Sequence, residues 1–390
     1  EAYSRPVQLA GAWIVQHSGS NTTVMALQKE LFLWTGIKTV VETDPHITPS
    51  DFDNLIRDYR PEYLVTNVAP TGLREFESLL CFSRHYEFET AARFGNLELL
   101  RIHPKEERAV QQPLVTTADT LRAMFRKGLS LQAEPTAATA DTIFKLLTQR
   151  THGLALVSLE LGTAKELLGN YKAANFVFDG FRSVSQAGAY LRQAWYHKET
   201  IARRQLAAAT SDNEVRANIY NFLAINYREM GYDRESSFLM QQSLKADSMF
   251  YPSLIFNAIY NYQDGNIPSA KYFWTKAAKA DSQNILTVKL KTVLDLENML
   301  QPATILAERS AIHLHIASTL IEMGMREDAI DVLLKTLNND PDNIDARLVL
   351  GELYIVKERW SPARKIFAEV LQRDPKNQKA LAQLRLLDAR

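Results

Sequence analysis

Short runs of β-branched and apolar residues alternate with helical patterns near the start of the chain. The runs at Thr22–Leu27, Lys38–Thr43 and Tyr63–Ala69 predict strands. The apolar spacing at Gln28–Thr35 and Ser50–Arg60 predicts helices between them. Such a series is typical of a parallel sheet with right-handed crossovers.

Four further elements complete this part of the chain. Helices are predicted at Pro6–His17 and Thr71–Arg84, and a hairpin is predicted from Tyr86–Phe94 and Leu97–His103. We therefore expect residues 1–104 to form a small Rossmann-like α/β sandwich with an antiparallel edge.

The loops after the three parallel strands show little sign of chemistry. No Gly-rich phosphate loop follows the first strand, so nucleotide binding is not favoured. Glu42–His46 holds two carboxylates and a histidine, which suits an acid–base or metal site, but a solvated turn is the favoured interpretation because spaced partners are missing. Asn67, Thr71 and Gly72 fit contacts to a small ligand and are also ordinary turn residues.

A different pattern, a repeat, occupies the second half of the chain. The segment Asn338–Asn343 recurs 34 positions later as Gln372–Asn377, and each copy follows an amphipathic helix. This period and its small and aromatic positions resemble the tetratricopeptide repeat, a helix–turn–helix unit. In the last unit the signature positions are Leu350, Gly351, Tyr354, Ala363, Phe367 and Pro375.

The resemblance implies an α-solenoid of tetratricopeptide repeats over residues 140–390, and we expect residues 105–139 to be a linker with a short helix. A register break, as a kink or an irregular helix pair, is expected at 285–309. A divergent helix pair is expected at 183–216. The predicted segments are divergent repeats at 140–216, regular repeats at 217–284 and 310–377, and a C-terminal capping helix at 378–390.

The first helices of such an array line a concave groove, which is the default surface for a protein or peptide partner. The groove lacks the Lys and Asn set with which family members hold a terminal carboxylate. Among its aromatic residues, Tyr260 or Tyr262 is a candidate anchor, although helix packing is the favoured role. The predicted groove residues are Asn221, Ile225, Arg228, Ile255, Ile259, Tyr262, Leu314, Ser318 and Glu352.

The amino-acid composition argues against several classes of function. Lys and Arg number 45, as do Asp and Glu, so no net field attracts nucleic acid. The single cysteine, Cys81, lies on an apolar face and is interpreted as a buried hydrophobe. His313 and His315 point to different faces of a helix and cannot share a metal. We predict no catalytic residue, no metal and no cofactor in this chain.

The layout of the α/β part resembles a known extracytoplasmic domain. Gln8–Ile14, Glu30–Ile37, Pro61–Asn67 and Leu97–Ile102 follow the order seen in the C-terminal domain of bacterial polytopic glycosyltransferases that use lipid-linked sugars. That class includes the protein mannosyltransferases and aminoarabinose transferases. The resemblance implies that a last transmembrane helix precedes Glu1 and that the catalytic carboxylates lie elsewhere in the parent protein.

Two functions follow as expectations. One is a non-catalytic extracytoplasmic region of a membrane glycosyltransferase-like protein, on the periplasmic side of the inner membrane, whose repeats recruit a protein partner or a glycan or lipid-linked sugar acceptor. The other is a free-standing periplasmic tetratricopeptide scaffold for envelope assembly or secretion. A cytoplasmic location stays open, and a soluble enzyme is disfavoured.

Overall fold

The computed structural model describes residues 4–26, 35, 37, 39–43, 47–69, 73–105, 117–151, 154–181, 188–300, 303 and 305–388. The chain divides into two compact units, Glu1–Ala246 and Asp247–Arg390, here called the N-terminal unit and the C-terminal unit. The predicted boundaries at residues 104 and 139 both lie inside the N-terminal unit.

The N-terminal unit begins with a small α/β domain. Its elements are α1 (Ser4–Ser18), β1 (Thr23–Ala26), β2 (Thr39–Glu42), α2 (Pro49–Tyr59), β3 (Tyr63–Asn67), α3 (Glu77–Phe82), β4 (Tyr86–Phe94) and β5 (Leu97–Pro104). The strand order is β2–β1–β3–β5–β4. β1 pairs in parallel with β2 and β3, whereas β5 pairs antiparallel with β3 and β4. The predicted α/β fold with a hairpin edge is confirmed.

Helices cover both faces of this sheet. Successive strand residues point to opposite faces, so Val24 and Tyr63 pack in one apolar cluster with Ile14 of α1. Met25 and Leu64 pack in a second cluster, which contains residues of α2 and α3. The strands are buried on both faces of the sheet, which explains why their sequences are continuous apolar runs.

The predicted helix at Thr71–Arg84 is shorter in the structure, where α3 begins at Glu77. Residues 71 and 72 lie outside the described part of the chain, as does the predicted helix at Gln28–Thr35 apart from Thr35. Arg74 forms a bridge with Val68, and the Glu75 amide donates to the Asn67 carbonyl at 3.0 Å. Because this backbone pairs with the end of β3, it cannot continue a helix.

The remaining elements in the described part of both units are helices. Those of the N-terminal unit are α4 (Thr117–Ser130), α5 (Ala137–Arg150), α6 (Ala155–Leu167), α7 (Tyr171–Gly180), α8 (Gly188–Ala209), α9 (Asn213–Glu229) and α10 (Asp233–Ala246). Those of the C-terminal unit are α11 (Tyr251–Gln263), α12 (Ile267–Ala280), α13 (Ile285–Leu300), α14 (Leu306–Glu322), α15 (Arg326–Asn339), α16 (Ile344–Val356), α17 (Trp360–Arg373) and α18 (Gln378–Asp388). Within the described residues, no helix is both long and apolar enough to cross a membrane.

A glycine on the first helix and a phenylalanine on the second mark the contact between paired helices. A Cβ atom added to Gly351 would lie 2.6 Å from Phe367 Cζ, and one added to Gly162 would lie 2.5 Å from Phe178 Cε1. Both phenylalanines are buried. The glycines are therefore needed because a side chain there would occupy the space of the facing ring.

The same contact joins α4, which is the helix expected within the predicted linker, to α5, most of which lies in the predicted divergent repeats. A Cβ on Gly128 of α4 would lie 2.6 Å from Cζ of the buried Phe144 of α5. Gly128 and Phe144 stand 34 positions before Gly162 and Phe178, and the intervening Ala140 is also buried. Residues 117–150 thus form a helix pair with repeat-type packing, while residues 106–116 lie outside the described part of the chain.

Single helices, rather than helix pairs, interrupt the repeat. The described part of 183–216 contains one long helix, α8, before α9 begins, and the described part of 285–309 contains α13 followed by the start of α14. The expected divergent pair and irregular pair are therefore corrected. Along the chain, pairs of repeat units alternate with single helices, and α18 follows the last pair where the capping helix is predicted.

Buried ion pairs fix the sheet to the helices of the N-terminal unit. Arg74 Nε donates to Glu98 Oε2 at 2.6 Å, and Arg122 of α4 donates to the same oxygen at 3.3 Å. Burial by itself would raise the pKa of Glu98, but the charge of Arg74 and the hydrogen bonds from Arg74, Thr90 and Arg93 together lower that pKa. The α/β domain and α4 therefore share one interior.

Candidate functional site

The groove residues predicted on α9 have little free surface. Asn221 is buried, with 6% of its surface exposed, and Ile225 is half-buried. Arg228 Nη1 lies 3.9 Å from Asp233 Oδ1, and its side chain is 11% exposed. These three side chains are therefore less exposed than expected for residues that line an open groove.

The groove residues predicted on α11 are also packed within their unit. Ile255 and Ile259 are 1% and 7% exposed. The Tyr262 hydroxyl donates to Glu297 Oε1 of α13 at 3.2 Å, and burial raises the pKa of Tyr262. The contact with Glu297 places α13 beside Tyr262, and a role of these three residues in partner binding stays a prediction.

Open surface remains on α14 and α16. Ser318 is exposed, whereas Leu314 is half-buried against the apolar core of the C-terminal unit. Glu352 is half-buried, and its Oε1 lies 2.7 Å from Lys379 Nζ. Whether these residues bind a partner stays a prediction.

A buried polar network that the sequence does not reveal lies among the helices of the N-terminal unit. Its centre is Glu166 of α6, whose Oε2 lies 2.8 Å from His197 Nδ1 of α8. The hydroxyls of Thr200 and Tyr227 both donate to the other carboxylate oxygen. The second His197 ring nitrogen, Nε2, lies 3.2 Å from Thr163 Oγ1. All of these side chains are buried, so the network ties α6, α8 and α9 together.

Arg204 supplies the positive charge of this network. Its guanidinium donates to Glu235 of α10, and Nη1 donates to Glu134 Oε2 at 3.1 Å. Burial alone would lower the pKa of Arg204, but Tyr227, Glu235 and Glu166 raise it well above its usual value. Arg204 therefore stays charged and balances the buried carboxylates.

Glu160 of α6 lies beside this network, and the hydrogen bonds to its carboxylate come from neutral side chains. Its Oε2 accepts hydrogen bonds from Gln132 Nε2 at 2.6 Å and from the Tyr232 hydroxyl at 2.9 Å. Its Oε1 accepts only a long hydrogen bond from Ser78 Oγ, at 3.4 Å, within the described residues. Burial raises the pKa of Glu160 to about 7, against the smaller opposing effects of Tyr232 and His197. Glu160 is therefore able to gain or lose a proton near neutral pH.

A cavity of about 320 Å³ opens next to Glu160. Its walls come from the start of α2, from α3 and from the helices facing them. The α/β domain contributes Ile47, Thr48, Pro49, Ser78, Leu79 and Phe82. The helices contribute Glu160, Gln193, Tyr196, His197, Asn226, Glu229, Met230 and Tyr232.

Comparison with known families identifies the repeats. Residues 320–386 match the tetratricopeptide repeat model. Together with the helix pairs described above, this match supports the predicted α-solenoid of tetratricopeptide type. Tetratricopeptide domains commonly bind protein or peptide partners, so the chain has the fold of a protein-interaction scaffold.

Two solved structures are similar to parts of this chain at low sequence identity. The tetratricopeptide domain of P58(IPK) is 13% identical, with 69% of this chain and 98% of that chain covered and a TM-score of 0.22. A chain of the APC/C hetero-tetramer Cut9–Hcn1 is 14% identical, with 68% of this chain but only 48% of that chain covered and a TM-score of 0.23. No curated protein matches the chain significantly.

The remaining candidate residues are placed as follows. Asn67 Nδ2 donates to Glu75 Oε2 at 3.0 Å, while residues 44–46, with the loop histidine, lie outside the described part. Burial and the nearby Glu77 raise the pKa of Cys81 to about 12, which disfavours a reactive thiolate. Among the described residues, no group of three His, Cys, Asp or Glu side chains is arranged to hold a metal.

Proposed function

We propose that this chain is a scaffold that binds a protein or peptide partner through the first helices of its C-terminal repeats. The observation that carries the proposal is the tetratricopeptide match at residues 320–386, which includes α16 and α17. In such arrays the first helices line the concave face. Ser318 of α14 provides exposed surface there, and the packed residues of α11 do not.

Two matched serine variants test this proposal. Ser318→Arg places a long charged side chain on a first helix, and Ser361→Arg does the same on α17, a second helix; both serines are exposed. We expect each change to alter the free energy of unfolding by less than about 0.5 kcal/mol. We expect Ser318→Arg to weaken capture of the partner by about tenfold or more, which corresponds to ~1.4 kcal/mol.

The measurement is affinity capture with the full chain, followed by titration of the captured protein against each variant. Ser361→Arg is the control and should bind as the unmodified chain does. Equal binding by all three proteins, or an equal loss in both variants, would count against the first helices as the binding surface.

We further propose that the scaffold is an extracytoplasmic region of a membrane glycosyltransferase-like protein. The support is the resemblance of residues 1–104 described in the sequence analysis, together with the order of α1, the β-strands and the hairpin. The alternative is a free-standing periplasmic scaffold. Sequencing the gene upstream of Glu1 separates the two: a series of hydrophobic helices favours the first, and a cleavable signal peptide favours the second.

A further inference from the structure

The cavity in the N-terminal unit has the dimensions of a small-molecule site. Its volume, about 320 Å³, is within the range of ligand pockets, roughly 300–1,000 Å³. Its walls are held together by direct contacts between the α/β domain and the helices. The rings of Phe82 and Tyr232 meet edge to face at 5.4 Å, and Arg84 Nη2 donates to Asp233 Oδ1 at 2.5 Å. These contacts hold the two sides of the cavity together.

The charged groups that line the cavity are acidic. Glu160 is buried in its wall and Glu229 lies at its exposed edge, while no Lys or Arg is among the lining residues that the structure describes. Glu160 Oε1 has only the 3.4 Å contact with Ser78 within the same described part. A buried carboxylate oxygen with one long hydrogen bond is under-satisfied, so it can accept a further donor.

Neutral polar and aromatic groups complete the lining. The side-chain amides of Gln193 and Asn226 make no hydrogen bond to any residue that the structure describes. The rings of Phe82, Tyr196 and Tyr232 supply aromatic surface. Aromatic rings attract cations at their faces, and apolar walls favour a carbon skeleton.

We propose that this cavity binds a small organic cation, an ammonium or guanidinium group on an apolar carbon skeleton, with Glu160 as its counter-ion and Asn226 and Gln193 as further hydrogen-bond partners. This site is separate from the repeat surface proposed to bind a partner. An anionic ligand is disfavoured because the described lining contains two carboxylates and neither Lys nor Arg, and its histidine, His197, is hydrogen-bonded to Glu166.

Benzylamine and benzyl alcohol are the matched probes, since they share one shape and differ in charge. At pH 8, isothermal titration of the full chain should show saturable binding of benzylamine and about tenfold weaker binding of benzyl alcohol. Glu160→Gln should weaken benzylamine binding about tenfold, because it removes the charge and keeps the size of the side chain.

Two more variants make the result decisive. Glu199→Gln changes an exposed carboxylate of α8 that already pairs with Arg203 and is outside the cavity lining, so benzylamine binding should be unchanged. Asn226→Leu, at a half-buried position, should weaken binding while the circular dichroism spectrum stays that of the unmodified chain. Equal affinity for both probes, unchanged affinity in Glu160→Gln, or no binding of benzylamine up to ~10 mM would overturn the proposal.

The bound cation is either a free small molecule or a basic side chain of a protein partner. Agmatine and the peptide acetyl-Ala-Arg-Ala-amide distinguish these two sources. Tighter binding of agmatine supports a free small molecule. Tighter binding of the peptide supports a basic side chain of a protein partner. If neither agmatine nor the peptide binds to a chain that still captures its partner through the repeats, the proposal of a cation site is wrong. The scaffold proposal is unaffected by that result.

Discussion

Replacing Phe144 by alanine is expected to lower the free energy of unfolding of the N-terminal unit by about 3–5 kcal/mol. Phe144 is fully buried, its ring lies over Gly128, and it meets Phe125 edge to face at 5.8 Å. The substitution removes this apolar surface from the interior and leaves a cavity between α4 and α5. Thermal and urea unfolding followed by circular dichroism measure the loss.

Two other phenylalanines serve as controls for this experiment. Phe367→Ala removes the equivalent ring of the last repeat, so it should destabilise the C-terminal unit by a similar amount. Phe176→Ala changes a side chain that is 81% exposed on α7 and should have almost no effect. If α4 did not pack on α5, Phe144→Ala would destabilise the N-terminal unit much less than Phe367→Ala destabilises the C-terminal unit.

Glu160→Gln is expected to stabilise the N-terminal unit at pH 8 by up to about 3 kcal/mol, because the buried carboxyl has a pKa of about 7 in place of 4.5. Below pH 4.5 the carboxyl is protonated in both the folded and the unfolded chain, so it has no effect. As the pH rises towards 7 the unfolded chain loses its proton first, and the folded state loses stability over this interval. Above pH 7 the penalty is constant.

The comparison requires unfolding curves of the unmodified chain and of Glu160→Gln at pH 4.5, 6 and 8. The groups that face Glu160 are Ser78, Gln132, His197 and Tyr232, and all of them remain in the variant. The difference in stability should be near zero at pH 4.5 and largest at pH 8. The exposed Glu199→Gln is the matched control and should show no such trend. A difference independent of pH would contradict the raised pKa.

The fold was largely predictable because its signals are local. Alternating strands and helices predicted the parallel series and the hairpin, and a period of 34 predicted the repeats. The same period also relates Gly128, Ala140 and Phe144 to Gly162, Ala174 and Phe178, so the α4–α5 pair was detectable. The single helices α8 and α13 were not, because they lack a partner helix and therefore carry no signature spacing.

The candidate site was much less predictable. Glu160 and Glu166 stand on α6, and His197 stands on α8. In a helical sequence, a single polar or charged residue usually indicates a face exposed to solvent. Only tertiary packing brings His197 to Glu166 and buries both. The burial of Ile255 and Ile259 was not predictable either, because the apolar spacing of one helix does not show which neighbouring helix covers it.

The most direct test of the scaffold function is amide hydrogen exchange of the full chain, with and without its captured partner. If the first helices of the C-terminal repeats bind the partner, exchange slows in α14 and α16 and changes little in the second helices α15 and α17. Slowing confined to α15 and α17, or to the α/β domain, would contradict this function.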